Sequence, residues 1–272
     1  MPSYLEISSE KLSRLMGMPS APVIIDVRTA EDFSLDPRLV PTSLRRDHVD
    51  VGSWARELEP RPVIVVCQRG AKLSHGVAAY LRSAGIAAES LEGGFEAWIA
   101  AGGPAVPEDK LPRRDILGRT VWVTRSRPKI DRIACPWLIR RFVDPDALFL
   151  FVPTSEVSAV GDRFGATPFD IEDVFWSHRG DRCTFDIMIE EFGLSLKPLL
   201  HLATIVRAAD TARLDLAPEA AGLLAASLGL SRLYQDDLEQ LEAGMLLYDA
   251  FYRWCRDATE ETHNWPSVKK GA

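Results

Sequence analysis

The stretch PVIVVCQRGAKLSHGVAAYLRSAG at 62–85 leaves few folds open. Val63, Ile64, Val65 and Val66 form a run that is apolar on both sides of a strand, and such strands lie inside parallel sheets covered on both faces. Pro62 suits the first position of a strand. Cys67 and the loop QRGAK follow, then helical spacing of apolar residues, which Gly85 ends. A buried strand that runs through a short loop into a helix is a unit of an α/β domain. The loop sits at the carboxyl end of the strand, where open α/β sheets bind ligands. Cys67 is the first residue of that loop.

The neighbouring segments repeat the pattern. PVIIDV (22–27) reads as a second buried strand, and IAAESLEGG (86–94) as a third short strand with a turn. Helical spacing recurs over 49–58, 71–85 and 94–102. Residues 1–106 are therefore expected to form an α/β domain, a parallel sheet flanked by helices. The Gly, Pro and charge content of AGGPAVPEDKLPRRDILG (101–118) breaks the rhythm, which makes 107–118 a linker. A chain of 272 residues has room for a second domain beyond it.

That second domain, over 119–258, opens with a strand, TVWVTR, and a helix-like stretch, PKIDRIACPWLIRRF (128–142), in which Pro136 predicts a kink or restart. ALFLFVP (147–153) reads as another strand. Beyond about residue 183 four segments carry i, i+3, i+4, i+7 apolar spacing, the last (234–258) apolar enough to be the central helix of a bundle. The expected class is a mixed, mostly helical α+β domain, with a frayed tail over 259–272 that includes NWPSVKKGA.

Charge and cysteine usage narrow the function. A net charge of -7 argues against DNA and other nucleic acids as general partners. No run of eighteen or more apolar residues exists, so no transmembrane helix is expected. The opening MPSYLEISSEKLSRLMG reads as an amphipathic helix and not as a signal peptide, which makes the protein cytoplasmic with no membrane partner. Cys67, Cys135, Cys183 and Cys255 lie far apart without a CxxC pair, so neither a disulfide framework nor a thioredoxin-type motif is expected.

The setting of Cys67 suits a nucleophile. Gly70 lets the loop turn its N–H groups inward, the next helix points its positive end at the same place, and Arg69 and Lys72 add charge. All three favour a thiolate. Such a thiolate attacks a sulfane sulfur and holds it as a persulfide, whose charge the same donors stabilise. Gln68, Arg69, Gly70, Ala71, Lys72 and Leu73 are the expected substrate-binding residues. His75, on the following helix, is read as a solvated or core histidine or as support for the loop.

In several motifs the first domain resembles the rhodanese family. It has Asp26, Val27 and Arg28 after the early strand, then Glu31, Asp32 and Phe33. The loop from Cys67 to Lys72 has six residues, and an LEGG…AW signature follows at Leu91, Glu92, Gly93, Gly94, Ala97 and Trp98. The resemblance implies a sulfurtransferase with catalytic Cys67, supported structurally by Asp26 and Arg28 pairing beneath the loop. It implies thiosulfate or a low-molecular-weight persulfide as donor, a thiol as acceptor, and no cofactor for sulfur transfer. Two loop positions depart from the family, which often has arginines where this chain has Gln68 and Lys72. Lysine is a point charge and not a planar fork, so the grip on thiosulfate is weakened and a persulfide donor is favoured. The usual Gly-His-Ile-Pro-Gly-Ala stretch is reduced to LVPTSLR (39–45).

In the second domain, Arg125, Arg127, Lys129, Arg132, Arg140 and Arg141 form a basic stretch that reads either as an oxyanion site or as a solvated face with acidic partners. His178, Cys183, Asp186 and Asp210 are metal-ligand types at a spacing that matches no standard motif. Residues 118–257 resemble the C-terminal domain of ChrB-type chromate-resistance proteins through TRSRPKIDRIACPWLIRRF, FLFVP, ATPFD, SHRGDRCTFD, RAAD and PEAAGL. The resemblance implies a metal or anion site at His178, Asp186 and Asp210, with Zn or Fe as the metal and chromate or sulfate as the anion. A further histidine of the family corresponds here to Arg207. The whole chain then reads as a sulfurtransferase fused to an oxyanion- or metal-sensing domain. The alternative is a redox- or chromate-responsive regulator whose rhodanese half senses without turning over.

Overall fold

A computed structural model describes residues 5–58 and 60–261. The tail NWPSVKKGA and the first four residues of the expected leading helix lie outside the described residues.

The first half runs β1 (Glu6–Ile7), α1 (Ser9–Leu15), β2 (Val23–Asp26), α2 (Ala30–Leu35), β3 (Arg38–Leu39), β4 (Leu44–Arg45), α3 (Val51–Trp54), β5 (Val63–Val66), α4 (Lys72–Ser83), β6 (Ala88–Leu91), α5 (Gly94–Ala100) and β7 (Val106–Pro107). Five strands form one parallel sheet in the order β1-β6-β5-β2-β4. The unbroken apolar runs of β2 and β5 follow from burial on both faces. Ile24, Ile64 and Val66 pack with Leu12, Phe95 and Trp98 on one side. Ile25, Val63 and Val65 pack with Trp54, Val77 and Leu81 on the other. β1 and β4, the edge strands, are two residues each and too short to leave a periodic signal. α1 begins at Ser8, whose hydroxyl accepts from the Lys11 N–H, a side-chain cap on a free helix donor.

The second half runs β8 (Val121–Arg125), α6 (Asp131–Phe142), β9 (Leu148–Val152), α7 (Val157–Phe164), β10 (Thr167–Pro168), α8 (Thr184–Glu191), α9 (Lys197–Asp210), α10 (Ala220–Leu233) and α11 (Asp237–Asp257). A three-stranded parallel sheet, β10-β8-β9, packs beside a helical bundle. Two expectations change. α6 runs through Pro136 without restarting. Proline removes one backbone bond, but Ile133, Ala134, Cys135, Trp137, Leu138, Ile139 and Phe142 are all buried, and packing on every side holds the helix together. α6, not α11, is therefore the central helix. α11 buries one stripe (Leu241, Gly244, Met245, Tyr248, Tyr252) and leaves Leu246 in solvent. Trp137 of α6 lies 5.4–6.3 Å from the rings of Phe142, Phe185, Tyr248 and Tyr252.

The two halves are bonded directly. The Thr42 N–H donates to the Phe142 carbonyl at 3.2 Å, and Arg256 Nη1 donates to the Arg14 carbonyl at 3.0 Å. A methyl at Gly17 would come within 2.5 Å of Phe142 Cζ and 2.7 Å of a Tyr252 ring carbon. Residues 107–118 are tied to both sides. β7 pairs antiparallel with β3, Lys110 reaches Glu191 at 2.7 Å, and Arg114 meets Asp144 at 3.3 Å. Among the described residues no helix is long and apolar enough to cross a membrane.

Candidate functional site

Cys67 follows β5 and is only 4% exposed. Its Sγ accepts the Ala71 N–H at 3.3 Å and lies 3.1 Å from Ser74 Oγ. Both partners sit at the start of α4, so the helix end and the loop backbone face one sulfur. Gly70 has φ +60°, and a Cβ there would lie 2.5 Å from Gly94 N and 2.6 Å from Gly93 N. The loop rests on the Gly93–Gly94 turn backbone to backbone, which no side chain would permit. The Phe95 and Glu96 N–H groups bind the Cys67 and Gln68 carbonyls at 2.9 and 3.0 Å. The LEGG motif is thus a seat for the cysteine loop.

Asp26 and Arg28 form a buried ion pair. Arg28 grips Asp26 through Nε at 2.9 Å and Nη2 at 2.6 Å, and donates to the Asp36 and Arg38 carbonyls. Its guanidinium stacks 3.8 Å above the Phe95 ring. Removing one partner of such a buried pair costs about 3–5 kcal/mol. The rim differs from the sequence reading. Glu96 of α5 accepts from Gln68 Nε2 at 3.1 Å and Arg69 Nε at 3.5 Å, placing a carboxylate beside the loop's arginine. Leu73 is partly buried and packs against the core cluster that includes Cys67. His75 pairs with Glu6 at 3.0 Å.

In the second domain one imidazole nitrogen gathers three carboxylates. His178 Nε2 lies 3.4 Å from Asp131 Oδ2, 3.3 Å from Asp170 Oδ1 and 3.4 Å from Asp210 Oδ2. Asp131 opens α6, Asp170 follows β10 and Asp210 ends α9. Asp131 is 1% exposed and accepts the Thr184 and Phe185 N–H groups at 2.6 and 3.2 Å, thereby holding the N-terminus of α8. Asp170 accepts from Thr184 Oγ1 at 2.9 Å and pairs with Arg132 at 3.3 Å. Ile130 (φ 42°) and Asp170 (φ 52°) both hold a left-handed backbone that non-glycine residues seldom adopt. The Tyr248 hydroxyl fixes the Ile130 carbonyl at 2.9 Å.

Charge crowding perturbs the cluster. Hydrogen bonds to Asp131 and Asp170 raise His178 to about 10. Burial, then repulsion from Asp131 and Asp170, lifts Asp210 to about 7. Burial also pushes Asp131 upward, against the pull of His178.

The expected metal set is corrected in one member. His178 and Asp210 come together, but Asp186 stands apart. It caps α8 by accepting the Cys183 N–H at 3.1 Å, and pairs with Arg207 at 2.7 Å. Arg207 thus engages the Asp186 carboxylate directly. Cys183 donates its thiol to Asp186 and is pushed far up by burial, so it stays a thiol. Asp131 and Asp170 replace Asp186, and both were missed. Their signal was position: each follows the carboxyl end of a strand in one parallel sheet. The basic stretch finds acidic partners but is not a solvated face: Arg125 and Arg132 pair with Asp170, Arg140 with Glu242 and Arg141 with Asp249, and all of these arginines but Arg125 are largely buried.

Comparison with known proteins places both halves. Residues 8–101 match the model of the rhodanese-like domain. Thiosulfate sulfurtransferase GlpE of Pseudomonas syringae is 35% identical over 78 residues, 28% of this chain and 71% of that protein. The chain belongs to the rhodanese-like family. Beyond this rhodanese-like domain, residues 122–255 match the model of the ChrB C-terminal domain. Protein ChrB of Cupriavidus metallidurans is 36% identical over 159 residues, 57% of this chain, and the chain spans 47% of that protein's length. Among solved structures, a rhodanese-related protein of Thermoplasma volcanium is 24% identical with a TM-score of 0.34, covering 39% of this chain and 100% of its own. A rhodanese-like domain protein of Staphylococcus aureus is 28% identical with a TM-score of 0.30, covering 34% of this chain and 89% of its own. This chain is thus a rhodanese-like domain fused to a ChrB C-terminal domain.

Proposed function

We propose that the chain is a sulfurtransferase in which Cys67 carries sulfane sulfur as a persulfide, coupled to a metal-binding ChrB domain that acts in chromate resistance. The observation that carries the first part is the Cys67 sulfur at the base of its loop, facing the Ala71 N–H and Ser74 Oγ. In the first step the Cys67 thiolate attacks the outer sulfur of thiosulfate. An S–S bond forms, the S–S bond of the donor breaks, and sulfite leaves with the electron pair. In the second step an acceptor thiolate attacks the outer sulfur of the Cys67 persulfide, and Cys67 leaves as thiolate. Loop N–H groups stabilise the charge in both steps. With a persulfide donor, a thiolate replaces sulfite as the leaving group. Glu96 beside Arg69 favours that donor, because it offsets positive charge where a dianion would enter.

For the second part, the cluster at His178 suits a cation and not an oxyanion, since three carboxylates repel chromate and sulfate. His178 Nε2 and one carboxylate oxygen each of Asp131 and Asp170 lie within 4.8 Å of one another, a grouping that one metal ion can draw together, and Asp210 Oδ2 stands 3.4 Å from the same nitrogen. Thr184, Phe185 and Arg132 orient Asp131 and Asp170 as outer-shell partners orient metal ligands. His178, Asp131, Asp170 and Asp210 would hold Zn or Fe(II), which supplies a fixed charge that reports metal status to the fused domain.

The test is turnover with thiosulfate and, separately, glutathione persulfide, in the cytoplasmic range of thiol acceptors. Wild type is expected to release sulfite or transfer sulfur, and Cys67→Ser to fall to background. Sulfur transfer retained in Cys67→Ser overturns the assignment. Inactivity of the wild type with both donors transfers the reading to a regulator whose rhodanese half does not turn over.

A further inference from the structure

A second site lies between the domains, away from both Cys67 and His178. A cavity of about 700 Å³ opens along the outer side of β4, walled by the first domain and by the segments around Arg114–Arg119 and Arg140–Asp146. Among the described residues, seven arginines line it against three carboxylates, Glu57, Glu108 and Asp146. In a chain of net charge -7 this concentration runs against the overall composition. Four of these arginines are each held by a carboxylate outside the wall.

Ser43 just before β4, Arg45 within it and Arg46 just after it are not. Ser43 is 3% exposed, and its Oγ is buried with no hydrogen-bond partner among the described residues. Arg45 meets no carboxylate among the described residues. Its guanidinium lies 3.8 Å over the Phe33 ring, Nη2 donates to the Arg28 carbonyl at 3.2 Å, and its buried Nε has no partner. Arg46 comes no nearer than 3.8 Å to the exposed Glu57. Buried polar atoms are almost always paired, so an unmatched hydroxyl and an unmatched guanidinium N–H, two residues apart in the lining of one cavity, mark a place made for an acceptor. Thr42, next in the chain, has φ 64°, an outlier for a β-branched residue, and its N–H crosses to Phe142. The backbone that presents Ser43 is fixed by the domain contact.

The size of the cavity sets the ligand class. A lone tetrahedral oxyanion would fill a small part of it, whereas pockets of about 300–1,000 Å³ hold organic molecules of drug or nucleotide size. Met18, Leu39 and Leu111 give the same cavity apolar wall. Arginine forks match phosphoryl oxygens in pairs. We infer that this cleft binds a phosphate ester of nucleotide size, with the phosphoryl group on Ser43, Arg45 and Arg46 and the organic body against the apolar wall. Such a ligand touches both domains and stabilises their packing.

ADP binding to the full chain, measured by calorimetry beside inorganic phosphate and adenosine alone, tests this. Saturable ADP binding is expected, with phosphate and adenosine each at least tenfold weaker, and a rise in melting temperature with ADP. Arg46→Gln should weaken ADP about tenfold, and Ser43→Ala several-fold. Ser43→Ala should leave the melting temperature of the free chain unchanged or higher, because it removes an unpaired buried hydroxyl. No ADP binding, binding insensitive to both variants, or phosphate binding as tightly as ADP overturns the proposal.

Discussion

The Cys67 loop and the His178 cluster occupy the same kind of place, the carboxyl end of a parallel sheet, and are built in opposite ways. The loop is local. Cys67, Gly70, Ala71 and Ser74 come from eight consecutive positions, and its distant contacts come from one further run, Gly93 to Glu96. The cluster is assembled from afar. Asp131, Asp170, His178 and Asp210 arrive from separate elements, and two of its supports, Ile130 and Asp170, hold strained backbone. A local site survives rearrangement of the rest of the fold. An assembled one exists only while the bundle is packed.

Separate construction means that the two sites can be broken one at a time. His178→Gln is expected to lower Zn(II) or Fe(II) affinity about 100-fold or more while sulfur transfer at Cys67 persists, as read by metal titration and turnover on the same sample. Loss of both together would show that the sites are one functional unit.

The same contrast explains what was legible. The Cys67 loop and the buried strands around it follow from short-range pattern, because period, loop length and charge all lie within a few residues, whereas the Asp26–Arg28 pair was implied by the rhodanese resemblance. Two neighbours of the loop were missed: Ser74, whose Oγ lies 3.1 Å from the Cys67 sulfur, and Glu96, which reaches Gln68 and Arg69 across 28 and 27 positions. Of the second site, His178 and Asp210 were singled out, but Asp186 stood where Asp131 and Asp170 belong. Their one mark in the sequence is that each follows a strand end, and spacing does not show that those strands are neighbours in the sheet. α6 continues without a restart for a related reason. Pro136 is a local breaker, and burial on every side of the helix outweighs it.

A smaller effect probes the rim of the local site. Glu96→Gln should raise kcat/KM for thiosulfate about 3–10-fold at low salt, leave a neutral persulfide donor nearly unchanged, and lose the gain at high ionic strength. An equal gain for both donors would mean that Glu96 acts by shaping the loop and not by charge.

The smallest expected effect concerns the contact between domains. Hydrogen bonds from Lys110 and Arg179 hold Glu191 below the usual glutamate range. A carboxylate lowered in this way contributes stability above the ordinary value of about 4.3, and the contribution is lost as pH falls through the folded value. The melting temperature of wild type should therefore drop more between pH 5 and pH 3 than that of Glu191→Gln. Parallel curves would remove Glu191 from the account.

The central claim is that Cys67 holds sulfur. Intact mass of the full chain after one turnover with excess thiosulfate or glutathione persulfide, without acceptor, tests it most directly. The account predicts a gain of one sulfur atom that disappears on adding a thiol and never forms in Cys67→Ser. A wild-type mass unchanged by either donor, or the same gain in Cys67→Ser, would contradict it.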